Sequence, residues 1–304
     1  MKQNSRHALF VAIVAVLVGI FWKPLWILSD LSLEREEYSH IILIPLVSLI
    51  LIYWRRREVF AKPASTCSAA LVPLLAGLAL YGVARHFGIT SVPEVGLSLS
   101  LSVVGFVVAC AGAFLFIYGW SAFQPALFSL GFLFFVMPAP GVLLEKIVYY
   151  LQQGSAGVAA LMLSGLGVPF FRNGFIFQLP GISIEVAKEC SGIRSSIALL
   201  ITTLLAAQFF LRSNWRKLAI CLLIFPVAIV KNGLRITTLS ILSVYVSRDF
   251  LFGRLHRSGG FIFFFIGLAV LWAALRFLQL GDGPVEPKGK MPGRIGQPAS
   301  NAGI

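Results

Sequence analysis

Apolar runs long enough to cross a lipid bilayer recur along this chain of 304 residues, and no other feature constrains its fold as strongly. A bilayer core takes about 20 mostly apolar residues per helix. Such runs lie near 8–28, 41–54, 69–85, 96–119, 124–143, 193–211, 216–235 and 260–278. The expected fold class is therefore an all-α polytopic membrane protein with about eight transmembrane helices. Composition agrees, because 58% of the residues are apolar and only 12% are charged, whereas a soluble domain carries roughly a quarter. A water-soluble enzyme, a disordered chain, a coiled coil and a disulfide scaffold are all excluded. Lys2 and Arg6 ahead of the first run imitate a signal peptide, but no small-x-small cleavage site follows, so an uncleaved first helix is expected.

Orientation follows from basic residues in short turns. Arg55, Arg56, Arg57 and Lys62 follow the second run, and Arg212, Arg216 and Lys217 lie between the sixth and seventh. Both turns face the cytoplasm if the N-terminus does, and an even span count brings the C-terminus to the same side. The expected division is a transmembrane domain over 1–279 and a disordered cytoplasmic tail over 280–304, rich in Gly, Pro and Lys. The formal charge of +13 would suggest nucleic acid on a soluble protein. Here much of it sorts to membrane-flanking turns, the expected partner is the bilayer, and no nucleic acid is expected. On the outer side, however, Arg172, Lys188, Arg194, Lys231, Arg235, Arg248, Arg254 and Arg257 gather within one-third of the chain. Each alone reads as a side chain snorkelling to lipid headgroups, but eight together suggest a site.

The stretch 144–190 is the one long segment that does not read as a span. It opens as an amphipathic helix suited to the outer interface, and then its period changes. VPFFR and FIFQL are joined by Asn173-Gly174, a strong hairpin signal. Pro180-Gly181 turns the chain again, and Ile182, Ile184 and Val186 alternate with Ser183, Glu185 and Ala187. A small extracytoplasmic β element is expected, delivering the chain to Cys190 before the sixth span.

Four cysteines occur, at 67, 110, 190 and 221, without paired spacing, so neither a disulfide framework nor a CxxC site is indicated. Cys110 and Cys221 lie inside apolar runs and read as inert, as does Cys67. Cys190, in EVAKECSGIRSS, stands at a helix entrance, where free backbone N–H groups favour a thiolate. Arg194, four residues on, adds a cation. In KNGLR, Lys231 and Arg235 are again four apart. Charge at membrane depth is costly and by default suggests function. His256, in LHRSGG, is the histidine adjoining these segments, with His40 and His86 as rivals on the same side. A thiol, an imidazole and a guanidinium suffice for acyl transfer, as nucleophile, acid/base and oxyanion donor. No HxxH, HExxH or Cys/His ligand spacing is present, so neither a metal nor another cofactor is expected.

At these residues the chain resembles the exosortase/archaeosortase family of multipass cysteine enzymes. The likeness runs through GFIFQLPGISIEVAKECSGIRSSIALL, LRSNWRK, IFPVAIVKNGLRITTLS and HRSGGFIFF, over residues 125–278, with a weaker echo in EEYSHIILIPLVSLILIYWRRRE. The Cys-Ser-Gly-Ile-Arg, Asn-Gly-Leu-Arg and His-x-x-x-Gly boxes follow in family order. The resemblance implies Cys190 as nucleophile, Arg235 as transition-state stabiliser and His256 as acid/base. Arg194 falls on the family's second arginine. Arg194, Lys231, Glu185 and Asn232 are the substrate-binding candidates.

The resemblance further implies a thiol protease or transpeptidase of the bacterial inner membrane, with its active site extracytoplasmic. Its substrates would be proteins ending in a PEP-CTERM-type signal, namely a short motif, one transmembrane helix and a basic tail. Outer basic residues suit the glutamate of a Pro-Glu-Pro-like motif. Cleavage would be followed by transfer to a surface acceptor. The rival reading is a transporter with a basic anion path. It expects midplane charge and two related halves, whereas here the charges gather at one face and the halves are unlike.

Overall fold

The computed structural model describes residues 3–61, 68–86, 88, 96–247, 250 and 260–281. The first apolar run forms α1 (Gln3–Ile20) and α2 (Trp22–Glu34). They meet at Phe21, whose φ of −92° and ψ of 15° leave the helical region. Pro24 explains the break, because its ring opposes the carbonyl of residue 20 and it has no N–H to donate. Phe21 is fully buried against Tyr81 and Phe106. A 3₁₀ turn, Glu36–Tyr38, leads to α3 (Leu43–Trp54), the short α4 (Arg56–Val59), α5 (Leu71–His86) and α6 (Leu97–Tyr118).

The fifth run is α7 (Trp120–Phe132) with a 3₁₀ turn to Val136, and the chain then bends by 91° into α8 (Gly141–Gly165). Pro138 and Pro140 sit at the bend. Neither can supply an N–H to a continuing helix. After the sheet come α9 (Ile193–Phe210), α10 (Asn214–Tyr245) and α11 (Gly260–Leu280). Among the described residues seven helices are long and apolar enough to cross a membrane, or eight with the α7–α8 pair taken as one span. This is the expected all-α polytopic fold.

α10 runs ten residues past the expected end at 235. Tertiary packing carries it on. α8 lies beside it in the same direction, with Gly154 on Ile229, Gly233 on Val158 and Thr237 on Met162, each step four residues on both helices. A Cβ on Gly233 would stand 2.6 Å from a Val158 methyl, so only glycine lets the helices approach this closely.

The predicted β element is a three-stranded antiparallel sheet, β1 (Phe171–Asn173), β2 (Ile176–Leu179) and β3 (Ile182–Glu185), in that order. Asn173 pairs with Ile176, so the two-residue turn is Gly174-Phe175, one place later than expected, with Gly174 at φ +60°. Pro180-Gly181 makes the second turn, with Gly181 at φ +76°. Phe177 and Leu179 bury one face of β2 on Ala156, Ala159 and Leu163 of α8 and on Ile236 of α10. The sheet therefore sits on the late halves of α8 and α10 and returns the chain to Cys190. The tail from 282 onward lies outside the described residues.

Candidate active site

Cys190 lies in a 3₁₀ turn, Lys188–Ser191, and its N–H donates to the Ala187 carbonyl at 2.9 Å. It is not on the helix itself. Gly192, at φ +77°, turns the chain through the left-handed region and caps α9, which starts at Ile193. Because this turn intervenes, Arg194 and Cys190 are not one turn apart on a continuous helix, as the spacing alone implies. The turn needs glycine twice over, since a Cβ at 192 would be strained and would stand 3.0 Å from Asn232 Oδ1.

Two consecutive residues of α10 grip this turn. The Asn232 side-chain amide donates to the Cys190 carbonyl at 2.8 Å, and Asn232 is only 2% exposed. Lys231, 4% exposed, donates to Ser195 Oγ, and Ser195 in turn donates to the Gly192 carbonyl at 3.0 Å. Ser196 Oγ reaches the same carbonyl at 2.8 Å. On the other flank Gln152 of α8, buried, donates from Nε2 to the Val186 carbonyl at 2.8 Å. The turn that presents Cys190 is thus anchored from α8, α9 and α10.

Arg235 is half-buried, one helical turn beyond Lys231 on α10. Its guanidinium lies 3.8 Å from where a Cβ of Gly260 would stand, and the Lys231 stem is 3.2 Å from the corresponding point on Gly267. The first turns of α11 therefore cover both cations. His256 lies outside the described residues, four positions ahead of Gly260. Arg248, Arg254 and Arg257 lie outside them as well.

Two ion pairs straddle the cysteine turn. Arg194 Nη1 meets Glu36 Oε2 of the first 3₁₀ turn at 2.5 Å, and Lys188 meets Glu145 of α8 at 3.8 Å. Glu185 is exposed on β3. His40 is half-buried two residues after Tyr38, with its ring bonded to backbone at Glu37 and Phe135. Since Glu36 reaches Arg194, this histidine belongs to the same end of the bundle as Cys190. Cys110 and Cys221 lie within α6 and α10. Cys67 lies outside the described residues, among which no group of three His, Cys, Asp or Glu could hold a metal ion.

The structure adds two residues that the pattern did not single out. Gln152 carried a signal, since it is a long polar residue in the buried stripe of α8 that includes Val148, Leu151, Ala156 and Ala159. Glu36 carried only the weak family echo in EEYSH, because its partner is 158 residues away.

A family model described as transmembrane exosortase matches residues 26–273, most of the chain and all of the described site. No curated protein and no solved structure matches.

Proposed function

The chain belongs to the transmembrane exosortase family, and we propose that it is a membrane-embedded cysteine transpeptidase acting on proteins with a C-terminal sorting signal of the PEP-CTERM type. The observation that carries this reading is the turn holding Cys190. It is braced by Asn232 and Lys231 from the helix that also bears Arg235. The thiol is half-buried, and the helix that braces its turn carries two cations, Lys231 and Arg235, a setting that suits a thiolate.

In this mechanism the Cys190 thiolate attacks the scissile carbonyl carbon. The guanidinium of Arg235 donates to the oxyanion as it forms. When the C–N bond breaks, the departing amine takes a proton from the His256 imidazolium. The C-terminal helix and basic tail leave, and the substrate remains as a thioester on Cys190. An acceptor amine, deprotonated by the now neutral imidazole, attacks the thioester, forms a new amide and releases the thiolate. The Cys190 turn heads α9, an apolar helix long enough to cross a membrane, and this apolar setting favours transfer over hydrolysis. The basic turns at 55–57 and 212–217 support an orientation with both termini cytoplasmic and the site on the outer face.

Co-expression with a tagged substrate tests the reading. Wild type should process the substrate, and Cys190→Ala, inserted at equal abundance, should leave it full length.

A further inference from the structure

We propose that Arg194 forms a subsite for a carboxylate of the bound polypeptide, that Glu36 occupies this subsite in the free protein, and that an acidic substrate side chain displaces it. This rests on the reading that a polypeptide binds across the Cys190 turn.

Cys190 is flanked by Lys188 two residues before it and Arg194 four after it. Each cation meets a carboxylate from a distant element, Glu145 and Glu36 respectively. Both cations that flank Cys190 in the chain therefore already hold a carboxylate, and Arg194 holds its own the more closely.

The Arg194–Glu36 pair does not have the character of a structural clamp. The two side chains are 62% and 77% exposed, and exposed ion pairs contribute little net stability. Nor does the Glu36–Tyr38 turn depend on it. Tyr38 is buried among Leu28, Leu31, Ile41 and Ile44, and its hydroxyl donates to the Ala139 carbonyl at 3.3 Å. Glu36 engages the guanidinium through Nη1 alone. A carboxylate that takes two N–H groups of the planar fork makes the stronger, bidentate pair. An incoming acidic side chain can thus exchange for Glu36 at little cost, while a neutral one gains nothing by doing so. Arg194 then selects acidic substrates, and Glu36 sets how strongly they must bind to enter.

The test uses the full-length protein in detergent, carrying Cys190→Ala so that no covalent capture occurs. Two fluorescein-labelled probes are compared by anisotropy, a peptide with one glutamate between two prolines ahead of an apolar segment, and its glutamine twin. Removing an internal competitor raises apparent affinity by the inverse of the fraction formerly free. Glu36→Gln should tighten binding of the glutamate peptide by about two- to sixfold and leave the glutamine twin unchanged. Arg194→Gln should abolish the preference for glutamate. Failure of the glutamate peptide to bind, weaker or unchanged binding in Glu36→Gln, or equal gains for both peptides would overturn the proposal. Processing in cells by protein with Cys190 intact is scored separately. Loss of Cys190 dependence there defeats the catalytic reading and leaves the binding result standing, and the converse holds too.

Discussion

The amide of Asn232 and the carbonyl of Cys190, 42 residues apart in sequence, are joined by a 2.8 Å hydrogen bond. The same asparagine lies against Gly192, so one buried side chain both satisfies the Cys190 carbonyl and limits what can stand two residues later. Asn232→Leu leaves that carbonyl without its partner, at about 1–3 kcal/mol. Processing should fall at least tenfold with a measurable drop in melting temperature. Gly192→Ala should do the same, because it combines left-handed strain of about 1–2 kcal/mol with the close approach to Asn232. Gly174→Ala is the control, since Gly174 also has positive φ but nothing lies within 4 Å of its added Cβ. It should lower the melting temperature and leave processing intact.

Lys231 separates the needs of the site from those of the fold. Its buried ammonium bonds to a serine hydroxyl, and Arg235 stands one turn away. Burying a charge is costly, and an apolar side chain of similar size removes that cost. Lys231→Met should therefore keep or raise the melting temperature while processing falls about tenfold or more as Ser195 and the Gly192 turn lose their tether. Parallel losses of stability and processing would make Lys231 a structural residue only.

The acid/base assignment separates two histidines. His256→Ala should abolish processing without affecting abundance, and His40→Ala should reduce it by less than tenfold. The reverse order would move the role to His40, which belongs to the same end of the bundle. Arg235→Lys should be severely impaired, because an ammonium does not reproduce a planar fork of donors.

How much of this was legible in sequence depends on the range of the interactions involved. The spans were legible because apolar length is a local property, and β1 to β3 were legible because period-two alternation and Pro180-Gly181 are local too. The bend between α7 and α8 was hidden inside a hydropathy run that continues past Pro138 and Pro140. The end of α10 at Tyr245 is not legible because the apolar run stops at Arg235, and the helix continues on packing in which Asn232 is spent on Cys190 and Gly233 on the approach of α8. The cysteine box was legible as a motif. Its bracing by Gln152, Asn232 and Lys231, and the Glu36 contact, depend on tertiary neighbours that no local pattern encodes.

Sidedness has its own measurement. In a Cys190→Ala background, a reporter cysteine at Gly174, in the β1–β2 hairpin, should react with a membrane-impermeant maleimide in intact cells. One at Ser213, the residue preceding α10, should not. Labelling at Ser213 alone would invert the orientation.

The most direct test of the central claim is mass spectrometry of a tagged PEP-CTERM-type substrate recovered from cells making wild-type protein or Cys190→Ala. With wild type, the substrate should lack its C-terminal helix and basic tail and carry a new amide to an acceptor molecule. With Cys190→Ala it should remain full length. A substrate shortened at the same position in Cys190→Ala cells would contradict the assignment of Cys190 as the nucleophile.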